Sequence, residues 1–378
     1  MRGLRIWLAG AMAAVAALVS ASGAFAAPGD VYVADRDAED VWKLGPAGGD
    51  AISVSQFPAG ASSAYGLKLG PDGFLYVADE DAGVWRVDRN TGAKSLFSPY
   101  PPSANPIDVA FDPQGRLLVA DFHDDSISFV DLTTGALTPF APAAVPASSG
   151  YNSLAVLRDG TVFVSDENDG AVYRFTPQGV RSALAENDPV LGEPDGLFVT
   201  PDEHYLYVGS FARQSYVRYD LRTGVREVLP TSGSPYNTAM GLDGQLLYSD
   251  ADDDHIELAD LAGVVTRTFS SDPDFVEPRG IAVEPPLCAG RMPTVVGTPG
   301  ADVLRGSAFA DVILTQGGKD TVNALAGADV VCGGPGKDVL RGGPGKDKLL
   351  GQAGKDKLIG GKGKDKLKGG AGRDVEKP

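Results

Sequence analysis

Nine aspartates stand nine residues apart at the C-terminal end of the chain, at Asp302, Asp311, Asp320, Asp329, Asp338, Asp347, Asp356, Asp365 and Asp374. The later ones sit in GGPGKDVLR, GGPGKDKLL, GQAGKDKLI and GGKGKDKLK. A period this short admits few folds. Glycines permit tight turns at positive φ and leave carbonyl oxygens open, as at Gly333, Gly334, Gly336, Gly342, Gly343, Gly345, Gly354, Gly360, Gly361 and Gly363. One carboxylate per turn then completes an oxygen-lined site suited to a hard cation such as calcium. An apolar residue follows two places after each of the first eight aspartates (Leu304, Ile313, Val322, Val331, Leu340, Leu349, Leu358, Leu367), and is expected to point inward from a short strand.

Over residues 297–377 these units resemble the RTX, or hemolysin-type, calcium-binding nonapeptide repeats. The resemblance implies a parallel β-roll in which one nonapeptide makes a half turn and repeats n and n+2 stack. Calcium would lie between stacked loops, so that Asp338 shares a site with Asp356, Asp347 with Asp365, and Asp356 with Asp374. The units GSAFADVIL, TQGGKDTVN and ALAGADVVC depart from the glycine pattern and are expected to stack with poorer sites. Glu376 replaces an apolar residue in the last repeat and reads as a polar cap. Binding energy here becomes folding energy, so the tail is expected to order with calcium.

A longer period precedes this tail. VYVAD (31–35), LYVAD (75–79), LLVAD (117–121), VFVSD (162–166), LYVGS (206–210) and LLYSD (246–250) end 44, 42, 45, 44 and 40 residues apart. That spacing suits four-stranded propeller blades. Each unit adds an inner apolar strand, an Asp-Gly or Gln-Gly turn, an alternating strand such as VWRVD, and an edge strand after a Thr-Gly or Gln-Gly turn. The first unit lacks its inner strand, and PRGIAVEPP (278–286) lacks partners. Joining the two closes a ring of six blades and removes the exposed sheet edges of an open array.

The expected fold is therefore all-β: a six-bladed β-propeller (27–287) closed by strand 278–286, a linker (288–296), and a short parallel β-roll (β-helix) of nine nonapeptide repeats (297–378). Residues 1–26 read as a secretory signal peptide, with Arg2 and Arg5, an apolar run from Ile6 to Val19, and Ala24-Phe25-Ala26 as a cleavage site. No later segment is long and apolar enough to span a bilayer. An exported, extracellular protein follows, and in that setting an even cysteine count favours a Cys288–Cys332 disulfide.

Charge excludes one partner class. Residues 27–296 hold 17 Lys+Arg against 40 Asp+Glu, whereas 297–378 hold 14 against 10. The acidic body would repel nucleic acid. Lys346, Lys348, Lys355, Lys357, Lys364 and Lys366 either form a basic stripe for an anionic cell-surface polymer or solvate the aspartate ladder.

YGLKLGPDGFLYVAD, NSLAVLRDGTVFVSD and PDGLFVTPDEHYLYVGS resemble the gluconolactonase/senescence-marker-like propellers and the NHL-type propellers, over about residues 30–285. The residues entering the inner strands, Tyr65, Asp108, Asn152, Asp195, Asn237 and Arg279, should ring the channel. Lactonase-like relatives hold a divalent metal there with a carboxylate and asparagines. Asn152 and Asp195 match that pattern and are the candidate catalytic residues. The family's first-blade Glu has no counterpart in SSAYGLKLG. The strand-end aspartates recur in nearly every blade, and repetition marks them as turn devices rather than catalysts. The leading expectation is a secreted calcium-binding protein whose propeller binds an extracellular ligand. The alternative is a metal-dependent lactonase-like hydrolase.

Overall fold

The structure is a computed structural model that describes residues 27–378 apart from 59–62, 102, 142–149, 187, 232 and 251. The expected signal peptide lies outside the described residues. All regular elements among the described residues are β-strands.

Six four-stranded antiparallel sheets form the propeller. Blade 1 joins the two ends of the domain: Pro278–Val283 pairs with Val31–Asp35, followed by Asp40–Leu44 and Ile52–Gln56. Val31 lies opposite Val283, Tyr32 opposite Ala282 and Val33 opposite Ile281. The other blades run in chain order from Ala64–Leu69 to Val265–Ser270. Their second strands, such as Leu75–Asp79 and Val162–Asp166, are buried along their whole length, which explains why they read as unbroken apolar runs. Hydrophobic clusters between neighbouring blades bury Tyr32, Tyr76, Tyr151, Tyr207, Tyr216 and Tyr248 completely or almost so.

The strand-end aspartates act as the repetition implies. Asp79 accepts N–H bonds from Ser63, Asp81 and Ala82 and the indole N–H of Trp85. Asp121 accepts from Asn105, His123 and Asp124, and Asp35 from Ala38, Val276 and Glu277. Each carboxylate ties the loop after its own strand to the loop entering the inner strand, and so sets the height of the channel rim.

The tail is a parallel β-roll with the expected half turn per nonapeptide. One sheet stacks Val303–Arg305, Thr321–Asn323, Val339–Gly345, Lys357–Gly363 and Val375–Lys377. The other stacks Val295–Val296, Val312–Leu314, Val330–Cys332, Lys348–Gly354 and Lys366–Ala371. Leu304, Val322, Leu340 and Leu358 fall in one column, and Val295, Ile313, Val331 and Leu349 in the other, filling the space between the sheets. Val295 fills an inward position, so the first strand of the roll begins inside the segment expected as a linker. From Asp320 onward the position four before the aspartate takes positive φ; Gly334 adopts 77° there, and Gln316, Leu325 and Gln352 hold 66°, 73° and 72° without glycine's freedom.

Cys288 and Cys332 form a disulfide with Cα atoms 5.8 Å apart. The first coil sits against the inner hairpins of the propeller. Met292, Thr294, Val295 and Asp311 share a cavity of about 180 Å³ with Leu69, Phe111, Val156 and Arg158. These hairpins lie at the end of the blades opposite the strand-end aspartates, so the roll covers one face and leaves the channel mouth clear.

Candidate functional site

Two sites emerge, one in the roll and one in the channel. In the roll the aspartates form a continuous ladder. The backbone N–H of each donates to Oδ1 of the aspartate one coil further on: Asp302 to Asp320 (2.9 Å), Asp311 to Asp329 (2.9 Å), Asp320 to Asp338, Asp329 to Asp347, Asp338 to Asp356, Asp347 to Asp365 and Asp356 to Asp374 (all 3.0 Å). Oδ1 is thereby spent on the backbone of the neighbouring coil. Oδ2 of Asp320, Asp329, Asp338, Asp347, Asp356 and Asp365 is buried and receives no hydrogen bond. A buried carboxylate oxygen without a partner costs several kcal/mol unless a proton or a cation meets it. Burial accordingly pushes Asp338 up to about 6 and Asp329 up to about 7, with neighbouring aspartates of the ladder adding to the effect.

At Asp338, Asp347, Asp356 and Asp365 the residue five places earlier is a glycine that faces that oxygen. A Cβ built at Gly351 would meet Asp356 Oδ2 at 2.5 Å and the Gly369 carbonyl at 2.6 Å. At Gly333 it would meet Asp338 Oδ2 at 2.8 Å and the Gly351 carbonyl at 3.1 Å; Gly342 stands in the same relation to Asp347 Oδ2 and the Gly360 carbonyl. Each glycine thus keeps open a space flanked by a carboxylate oxygen and a carbonyl oxygen from the next coil. An all-oxygen donor set with an unmatched negative charge fits calcium. No group of three or more His, Cys, Asp or Glu side chains converges among the described residues. Gly334, Gly336, Gly343, Gly345, Gly354, Gly361 and Gly363 are also required by the coil geometry: a Cβ on any of them would run into a carbonyl of the preceding coil.

The channel mouth holds a cavity of about 230 Å³. Of the six residues expected to ring it, Tyr65, Asn152, Asp195 and Arg279 line it. Asp108 instead turns into the wall, where it accepts from Ser153 Oγ and the Leu154 N–H at 2.9 Å each, and Asn237 is buried outside the lining. Asn152 and Asp195 meet directly: Asn152 Nδ2 donates to Asp195 Oδ1 at 2.5 Å and to Glu167 Oε2 at 3.2 Å. Burial raises Asp195 well above the usual carboxylate range, with the charge of Glu167 adding to it. Tyr65 occupies the inner-strand position where the lactonase pattern calls for a glutamate. Arg279 lies over the Tyr236 ring at 3.7 Å and pairs with Glu277, so a fixed guanidinium stands beside the Asn152–Asp195 pair.

Four of the other lining residues follow a rule that the sequence contains. Glu80, Phe122, Glu167 and Phe211 each come immediately after the last residue of a second strand. The strand-end geometry, repeated from blade to blade, aims the next side chain into the mouth. The three histidines do not converge: His123 pairs with Asp124, His204 with Asp220, and His255 lies near Glu257.

Comparison with known proteins agrees with this architecture. A family model for the SMP-30/gluconolactonase/LRE-like region matches residues 22–248. A model for the RTX calcium-binding nonapeptide repeat matches residues 296–331, 332–367 and 350–375. Among solved structures, a chain of a nidogen/laminin complex is similar at 17% identity, covering 67% of this chain and 97% of that chain, with a TM-score of 0.57. A protein of unknown function from Bacteroides caccae is similar at 12% identity, covering 68% and 98%, with a TM-score of 0.55. At these identities the likeness concerns the propeller fold alone. No curated protein is significantly similar in sequence.

Proposed function

The chain belongs to the SMP-30/gluconolactonase/LRE-like family and carries RTX calcium-binding repeats, and from that premise we propose that it is a secreted binding protein whose propeller recognises an extracellular ligand while calcium orders the roll. The observation that carries the calcium part is the column of buried, unpartnered Oδ2 atoms at Asp338, Asp347, Asp356 and Asp365. Calcium supplies the positive charge that these oxygens lack. Asp338, Asp347, Asp356, Asp365 and Asp374 are the carboxylates proposed to hold it, with Asp302, Asp311, Asp320 and Asp329 as the degenerate rungs. The disulfide and a calcium demand met readily outside the cell support export. No helix among the described residues is long and apolar enough to cross a membrane.

Binding rather than hydrolysis is favoured in the channel because Asn152 is engaged by both Asp195 and Glu167, and the first-blade inner strand contributes Tyr65 rather than a carboxylate. The mouth instead presents Glu80, Glu167 and Glu193 among Tyr65, Phe122, Phe211 and Tyr236, a surface suited to a polar ligand with an apolar face. The lysines of the roll extend the reading to an anionic cell-surface polymer: Lys346, Lys355, Lys357, Lys364 and Lys366 are exposed, and Lys348 stacks on Lys366 in register.

Two assays test the proposal. The calcium-loaded full chain should be retained on an immobilised polyuronate and released by replacing Lys346, Lys348, Lys364 and Lys366 with Gln. It should show no metal-dependent turnover of a sugar lactone. Lactone turnover that disappears in Asp195→Ala would move the assignment to the hydrolase reading.

A further inference from the structure

The rungs of the aspartate ladder are not equivalent. Asp302 and Asp311 have their second oxygen capped by their own chain. Asp302 Oδ2 accepts the Thr298 N–H at 2.7 Å and the Thr298 hydroxyl at 3.2 Å. Asp311 Oδ2 accepts the Ser307 N–H at 2.7 Å and the Ser307 hydroxyl at 2.9 Å. These hydroxyls do for the first coils what a cation would do further on.

The next two rungs are occluded. The position that is glycine at 333, 342, 351 and 360 is Thr315 before Asp320 and Ala324 before Asp329. Thr315 is fully buried, and its hydroxyl donates to the Gly333 carbonyl at 2.6 Å, the oxygen that would face the cation in a complete site. The Ala324 methyl is fully buried in the apolar column between the sheets. A side-chain carbon thus occupies the space that glycine leaves open elsewhere, so that Oδ2 of Asp320 and Asp329, though buried without a hydrogen bond, has no room beside it for a cation.

Only from Gly333 onward do an open glycine, an unpartnered Oδ2 and a carbonyl from the next coil occur together, at Asp338, Asp347 and Asp356. Asp365 has the glycine and the free oxygen, but the atoms nearest a Cβ at Gly360 all belong to Asp365 itself rather than to a carbonyl of a following coil. The change of character falls at Cys332, the residue that the disulfide fixes to Cys288 beside the propeller.

Resting on the calcium reading above, we propose that the roll is two devices in series: a cation-independent proximal half (295–332), held to the propeller by the disulfide, and a distal half (333–378) that folds onto it only when calcium fills the sites at Asp338, Asp347 and Asp356. The proximal coils supply a ready-made edge. The distal strand Lys348–Gly354 pairs with Val330–Cys332, so the ordered half offers backbone partners for the first distal turn. A costly nucleation step is thereby avoided, and calcium has only to add coils to an existing stack. The distal half also carries most of the lysines of the tail, so calcium would control the presentation of that basic surface.

Hydrogen–deuterium exchange of the oxidised full chain, in calcium and in chelator, tests this, with calcium stoichiometry measured alongside. In chelator, amides in Lys348–Gly354, Lys357–Gly363 and Lys366–Ala371 should lose protection by at least about 100-fold, whereas those in Val312–Leu314, Thr321–Asn323 and Val330–Cys332 should change by less than about threefold. Loss of protection in both halves together, with calcium bound in the holo form, would overturn the two-part roll and leave the calcium reading standing. No calcium binding and no change in either half would overturn both. A second variant avoids relying on unfolding. Ala324→Gly opens the space beside Asp329 and should raise the number of bound calcium ions by one; an unchanged stoichiometry would contradict occlusion as the reason that this rung is silent.

Discussion

The backbone N–H of Asp338 donates to Oδ1 of Asp356 at 3.0 Å, one full coil away, while Asp338 Oδ2 stays buried without a hydrogen bond. One carboxylate thus does two jobs along the ladder: one oxygen joins coils and the other awaits charge. The first job needs no cation, which explains how an ordered stack and a cation demand coexist in the same residue.

Gly342→Ala should remove one calcium. The new methyl would lie between Asp347 Oδ2 and the Gly360 carbonyl, 2.7 Å from the latter. Titration calorimetry should show the stoichiometry fall by one and the midpoint of calcium-induced folding rise by about 10-fold. The propeller should be untouched.

Asp79→Ala should weaken the propeller without affecting calcium. Four donors lose their acceptor: the Ser63, Asp81 and Ala82 N–H groups and the Trp85 indole. Losing these four bonds in a part-buried loop costs about 1–3 kcal/mol in total, since water can reach some of the freed donors. Denaturant unfolding followed by tryptophan fluorescence should report that loss, with unchanged calcium stoichiometry.

Asp166 gives the propeller a pH dependence of known sign. Burial first, and then the charges of Asp169 and Asp125, raise it to about 6, and Oδ2 has no partner. Its folded value lies above its unfolded one, so the native state holds the proton longer. Stability should fall as pH rises from about 4 to about 6 and then level off. Asp166→Asn should flatten that slope while keeping an acceptor for the Asp169 N–H. An identical slope in urea titrations of the two proteins would rule out this assignment.

Replacing Cys288 and Cys332 by Ser should free the roll from its anchor. The bridge spans 44 residues, and loops of that size are worth roughly 3–4 kcal/mol in the chain-entropy model. Thermal unfolding in calcium should show the roll transition shift downward, with the propeller transition nearly in place.

Much of this molecule is legible in its sequence because both domains repeat. The VAD-type strands fix the blade period, and the complementary ends at Val31–Asp35 and Pro278–Val283 fix closure. The nonapeptide fixes the stacking register of Leu340 on Leu358. What was not legible depends on apposition across the fold. Nothing local shows that Asp108 turns into the wall to hold Ser153, or that Arg279 lies on Tyr236. Glu80, Phe122, Glu167 and Phe211 carry a positional signal, one place past the strand end, which becomes informative only once the ring is closed. The carbonyls of Gly351, Gly360 and Gly369 leave no side-chain signature at all, and Thr298 and Ser307 look like ordinary turn residues until their hydroxyls are seen on Asp302 and Asp311.

The most direct measurement is far-UV circular dichroism of the full chain through a calcium titration starting from chelator. The account predicts a cooperative gain of β signal that is abolished when Asp338, Asp347 and Asp356 are replaced together by Asn, over a constant propeller contribution. A spectrum in chelator identical to that in calcium would contradict it.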